Sequence, residues 1–197
     1  MNEQIWWHVA RAGGIVAWLL LALSVTWGLL LSTKLLGRKP APAWLLSLHR
    51  MLGGLAVVFT VVHVGGLIAD SYVHFGPSDV LVPFASEWKP GPVAWGVVGF
   101  HLLLAVEVSS LLMRRIPRTA WKWVHRSSFV CFVVASLHGA TAGTDASNAL
   151  YRWTSVALVA LAMFLTLVRV LTATSRRARI DVVRPRTDRT ASTVPAA

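Results

Sequence analysis

The chain has 197 residues, 55% hydrophobic and only 14% charged, with a formal net charge of +11 and a mean hydropathy of +0.61. A soluble domain usually carries about a quarter charged residues, whereas here long apolar runs alternate with short polar loops, the pattern of a membrane protein. The basic residues gather at the ends of those runs, so the charge reads as membrane topology and not as a nucleic-acid surface; the lone cysteine, Cys131, excludes an internal disulfide and a cysteine-based metal cluster.

Residues 1–12 read as a short amphipathic extracytoplasmic segment, with Trp6 and Trp7 at the membrane interface. The first span runs from about Gly13 to Ser32. It is preceded by few positive charges and has no clear cleavage site, so it reads as a span and not as a signal peptide. A basic loop with Lys34, Arg38, Lys39, Pro40 and Pro42 leads to span 2, about Trp44 to Ala69. The longest loop, about 70–91, holds Asp70, Asp79 and Glu87 against Lys89. Span 3, about Val93 to Met113, contains His101 and Glu107. A second basic loop with Arg114, Arg115, Arg118 and Lys122 precedes span 4, about Trp121 to Thr141. After a short loop with Asp145, span 5 runs from about Ala149 to Thr172. Residues 174–197 are rich in Arg, Thr, Ser and Pro and are expected to be a disordered basic tail.

The expected fold is therefore an all-α integral membrane protein, a five-transmembrane-helix bundle over residues 13–173. Both basic loops and the tail fall on one side of five spans, and the acidic loops on the other. The positive side faces the cytoplasm, which puts the N-terminus outside and the C-terminus inside.

Two spans carry matched histidines. His49-Arg50 is followed 14 residues on by His63, and His125-Arg126 is followed 13 residues on by His138. Both steps come to about 20 Å along a helix, roughly two thirds of a hydrocarbon core about 30 Å thick. Spans 2 and 4 run in the same direction, so His49 pairs with His125 on the inner side and His63 with His138 on the outer side. An ionisable side chain inside a span is costly and marks function by default. Two imidazoles across an apolar gap suit haem, whose iron takes one histidine from each side, whereas zinc wants four ligands close together. Arg50 and Arg126 are placed to meet the carboxylates of an inner haem. Gly53, Gly54, Gly65, Gly66 and Gly139 lie near the ligands, where small residues admit either a macrocycle or a neighbouring helix. A 14-residue step leaves two side chains within about 40° on an ideal helix, but a 13-residue step leaves them about 140° apart. Span 4 must overwind locally, or its two sites face different ways. His101 has no partner at matching spacing. Glu107 reads as a proton site or as a partner for an arginine. Arg11 and Arg152 flank the outer face as anchors or as carboxylate partners, and His8 and His74 read as surface residues.

The paired spacing, with Phe75-Gly76-Pro77, Leu81-Val82-Pro83-Phe84, Trp88-Lys89-Pro90 and Leu137-His138-Gly139, resembles the ferric reductase-like transmembrane domain, in particular its small stand-alone bacterial members. That family includes ferric reductases, NADPH oxidases and the membrane subunit of the periplasmic methionine sulfoxide reductase system. The resemblance, over about Gly13 to Thr172, implies two b-type haems on His49, His63, His125 and His138 in a bacterial plasma membrane. It implies electron flow from a cytoplasmic flavoprotein or flavin reductase to an extracytoplasmic acceptor. The chain has no Gly-rich dinucleotide fingerprint, so it is not expected to oxidise NAD(P)H by itself. The alternatives are a haem-bearing anchor of a quinone-linked complex, with His101 or Glu107 near the quinone, and an assembly protein without a cofactor.

Overall fold

The structure, a computed structural model, describes residues 3–33, 42–71, 73–145 and 147–183, with side chains from residue 4 to 174. Lys34, Arg38, Lys39 and Pro40 of the first basic loop, and residues 184–197 of the tail, lie outside the described residues. Among those described there are seven helices and no strand: α1 (Glu3–Thr33), α2 (Ala43–Ala69), α3 (Pro77–Leu81), α4 (Pro90–Leu111), α5 (Arg118–Arg126), α6 (Ser128–Ala142) and α7 (Ala149–Val183). A helix satisfies its own backbone polar groups, as a segment in hydrocarbon must. Four helical stretches are long and apolar enough to cross a membrane: Gln4–Thr33, Ala43–Ala69, Pro90–Leu111 and Ala149–Thr174. The chain is a multi-pass membrane protein.

Prolines set several boundaries. Pro42 and Pro117 stand immediately before α2 and α5, and α4 opens on Pro90 after Lys89 turns left-handed at φ 43°. Proline suits a helix start, where its missing N–H has no partner to lose. The opening residues expected as a separate segment join α1, which begins at Glu3. At the other end, α7 continues past Thr174 to Val183, through the first residues of the expected tail.

The expected fourth span is two helices, α5 of 9 residues and α6 of 15, which meet at Ser127. The Ser127 N–H donates to the Val124 carbonyl at 3.0 Å, three residues back, and its hydroxyl donates to the same oxygen at 2.6 Å. A serine hydroxyl competes in this way with the helical ladder. The i→i+3 bond tightens the turn toward three residues per turn, which is the local overwinding that the 13-residue step demands. The break also explains why no single helix here has spanning length, since α6 alone rises about 22 Å.

Helices α1, α2, α4 and α6 form a ring in which α1 lies along α2, α4 lies along α6, and α1 also touches α6. The approach of α2 to α4 is lighter, so α2 and α6 stand across the diagonal, and α7 packs on the outside of α1. Glycines let α1 and α2 come close: a Cβ on Gly13 would lie 3.0 Å from the His63 backbone nitrogen, and one on Gly66 would lie 2.8 Å from that of Ala10. The buried core joins Trp18, Ala22 and Leu29 of α1 to Ala56, Leu103, Phe132 and Leu165.

Candidate functional site

The matched histidines sit on α2, which carries His49 and His63, and on α5 and α6, which carry His125 and His138, and their imidazoles meet in pairs. His49 and His125 have ring centroids 6.0 Å apart with planes at 80°. His63 and His138 have centroids 6.2 Å apart with planes at 74°. The pairing is the one expected from depth, and the turn at Ser127 brings both α6-side rings round to α2.

Three of the four rings are held in the same way. His63 Nδ1 lies 2.7 Å from the Ala10 carbonyl, His49 Nδ1 lies 3.1 Å from that of Ser24, and His138 Nδ1 lies 2.8 Å from that of Pro92. Four residues after each acceptor comes a glycine: Gly14, Gly28 and Gly96. A Cβ at those glycines would meet the imidazole that uses the carbonyl: Gly14 at 2.8 Å from His63 Nδ1, Gly28 at 3.2 Å from His49 Cε1, and Gly96 at 2.7 Å from His138 Cε1. In a helix the side chain at i+4 stands over the carbonyl of residue i. Glycine there uncovers the oxygen, whose second lone pair accepts the ring N–H. Each anchored ring then presents Nε2 without a proton, the tautomer that a metal needs, with its orientation fixed by the carbonyl. Both seats for α2 lie on antiparallel α1, and Gly14 and Gly28 repeat the 14-residue step of His49 and His63.

His125 differs. Among the described residues its buried Nδ1 has no hydrogen-bond partner, and neither has Nε1 of Trp121, whose ring stacks on it at 5.1 Å and 22°.

The glycines expected beside the ligands serve other contacts. A Cβ on Gly53 would meet Glu107 Oε2 at 3.0 Å, one on Gly139 would meet the Tyr151 hydroxyl at 2.9 Å, and one on Gly65 would meet nothing within 4 Å. Glu107 thus reaches from α4 to α2, one turn beyond His49. His101 is exposed and turns to its own helix, with Nδ1 2.9 Å from the Val97 carbonyl. Arg50 is exposed, and the Arg126 guanidinium lies over the Trp123 ring at 5.3 Å. Arg11 pairs with Asp145, and Arg152 lies over Trp153 at 5.7 Å. His8 and His74 are exposed.

A mostly apolar cavity surrounds the outer pair, with Trp18, His63, Val97, His138 and Tyr151 among its walls. The 70–91 loop covers it: Phe75, Val80 and Trp88 reach the cavity, and Phe75 packs edge-on against Trp88 at 6.1 Å. Among the described residues no three or more His, Cys, Asp or Glu side chains gather as a metal cluster. What the described residues bring together is two pairs of imidazoles.

The family model described as ferric reductase like transmembrane component matches residues 13–137, well over half of the chain. The match takes in three of the paired histidines and ends one residue before His138. No curated protein and no solved structure matches the chain. With four apolar helices long enough to span and this match, the chain belongs to the ferric reductase-like transmembrane component family and is a transmembrane component of electron transfer.

Proposed function

We propose that the protein is a di-haem b membrane cytochrome that carries electrons from a cytoplasmic flavin donor to an extracytoplasmic acceptor. The observation that carries this reading is the facing of two imidazole pairs across the bundle diagonal, with centroids 6.0 and 6.2 Å apart. A metal–imidazole bond is about 2.0 Å, and the ring centroid lies about 1.1 Å beyond the nitrogen, so one iron between two rings needs centroids about 6.2 Å apart. The centroid separations of both pairs agree with that distance. The apolar walls around the outer pair and the carbonyl-anchored Nδ1 atoms fit the reading too.

A haem at each pair supplies a one-electron carrier that needs no proton or group transfer. The chain does the rest: the imidazoles bind, the α1 and α4 carbonyls orient them, and the apolar walls keep water out. Sites about 20 Å apart along α2 divide a hydrocarbon core of about 30 Å into shorter hops. Arg50 and Arg126, each next in sequence to an inner histidine, are the proposed partners of the inner haem's carboxylates. The same reading takes α5–α6 as the fourth of five spans in a plasma membrane, with the N-terminus outside and the basic tail inside.

Haem stoichiometry and a reduced-minus-oxidised spectrum of the purified full chain test this. Two b-type haems per chain, one of them lost in His63→Ala, is the expected result. A folded chain that takes up no haem during expression with haem supplied would overturn it. Reduction by quinol, in place of a reduced flavin, would favour the quinone-linked anchor, for which Glu107 near His49 is the better placed of the two candidate residues.

A further inference from the structure

Three of the paired imidazoles have a carbonyl seat, and among the described residues the fourth has none. His125 Nδ1 is buried without an acceptor, and the ring stacked on it brings a second unpartnered donor, Trp121 Nε1, in place of an oxygen. Stacking holds the tilt of a ring but satisfies no N–H. The sequence of α4 shows why the seat is missing. Gly96 opens the Pro92 carbonyl to His138, and α4, a continuous helix, returns to the face of Gly96 after 14 residues, at Ser110, which stands four residues after Val106 as Gly96 does after Pro92. A side chain stands where the glycine would be. The hydroxyls of Ser109 and Ser110 both donate to the Val106 carbonyl, at 3.0 and 2.7 Å, and so crowd the stretch of α4 that would have to offer an oxygen.

The backbone under His125 is also less regular than that under the other three. His125 ends the 9-residue α5, and the Ser127 N–H is shared between the carbonyls of Val124 and of His125 itself. His49, His63 and His138 lie inside continuous helices of 27 and 15 residues.

We propose that the inner site opens at His125: its imidazole is the exchangeable ligand, so the inner iron accepts a small neutral donor such as carbon monoxide while the outer iron stays closed. This rests on the two-haem reading above. In the exchange the bond from iron to the His125 nitrogen breaks and a bond from iron to the incoming carbon forms. The imidazole leaves neutral and the iron keeps its ferrous state. Loss of the partner that orients a metal-bound histidine typically costs about 10- to 100-fold in affinity, and His125 lacks that partner from the start.

The experiment uses the full chain in lipid nanodiscs, its haem counted as the pyridine haemochrome, then reduced with dithionite and titrated with carbon monoxide. In the wild type, half of the haem should react. In His63→Ala/His138→Ala, which removes the outer site, the remaining haem should react. In His49→Ala/His125→Ala, which removes the inner site, the remaining haem should not. Ser110→Gly, which takes that side chain off the Val106 carbonyl in an otherwise intact site, should weaken carbon monoxide binding about 10- to 100-fold. Haem that is present but inert to carbon monoxide, or reactive only at the outer site, would overturn the inference, as would a Ser110→Gly chain with unchanged affinity. A folded wild-type chain without haem would instead overturn the two-haem reading, and the haem count separates the two failures before any gas is added.

Discussion

Replacing Gly96 by alanine adds one methyl group where the His138 ring lies. That methyl would stand 2.7 Å from Cε1 and 2.8 Å from Nδ1, against ordinary contacts of 3.4 Å or more, so ring and helix must part by about 0.7 Å. The 2.8 Å bond from Nδ1 to the Pro92 carbonyl cannot survive that separation intact. Losing such an orienting bond typically costs about 10- to 100-fold in metal affinity, or about 1.4–2.7 kcal/mol. Alanine in place of glycine favours the helix by up to about 1 kcal/mol, so the chain should fold while its outer haem weakens. Gly14→Ala, at 2.8 Å from His63 Nδ1, should act similarly on the same haem. Gly28→Ala, at 3.2 Å from His49 Cε1, should act mildly on the inner one, and Gly65→Ala, with nothing within 4 Å, should do nothing. Haem per chain and a redox titration read each site separately. Full occupancy of both sites with unchanged midpoints in Gly96→Ala would refute the seat, and so would an equal loss in Gly65→Ala.

The planes within each pair are near perpendicular, at 80° and 74°. That geometry keeps the two π-interacting d orbitals of a ferric iron nearly degenerate, so low-temperature EPR should show large-gmax signals, and a well-resolved rhombic signal would mean that the rings lie parallel. Cys131 is 1% exposed, and its thiol lies 3.4 Å from the Gly99 carbonyl. A maleimide should therefore label the chain only after denaturation, and rapid labelling in nanodiscs would place α6 differently. The Arg11–Asp145 pair is solvent-exposed on its arginine side, so Arg11→Ala should cost under about 1 kcal/mol in thermal unfolding and leave the haem count unchanged. Loss of the outer haem in that variant would assign Arg11 to its carboxylates instead.

Much of this arrangement is legible in the chain, and the parts that are not have physical reasons. The depths of four histidines follow from spacing alone, because a helix converts residue number into length. Which carbonyl holds each ring does not, because that depends on how α1 and α4 dock. Yet Gly14 and Gly28 carry a readable trace, since their separation equals that of His49 and His63. Glycines in a membrane helix read first as packing, and Gly66 against Ala10 is packing. The direction of His138 relative to His125 turns on one hydroxyl, at Ser127, whose bond to Val124 no periodicity reveals. The side-chain directions of Arg50, Arg126 and His101 are decided by local neighbours, such as the Trp123 ring under Arg126, and spacing is silent on those.

The seats fall within two hairpins, two of them in the first and one in the second. His49 and His63 are anchored within the α1–α2 hairpin, and His138 within the α4–α6 hairpin. On the two-haem reading, the α1–α2 hairpin can therefore leave the insertion machinery with both of its imidazoles seated, and the second hairpin with one, before any cofactor arrives. A ligand that joins the halves binds across the diagonal, where the polypeptide makes few contacts of its own, and acts as a cross-tie. On the two-haem reading, biogenesis would separate into two steps: helices pair by sequence neighbourhood, and haem capture then ties α2 to α5–α6.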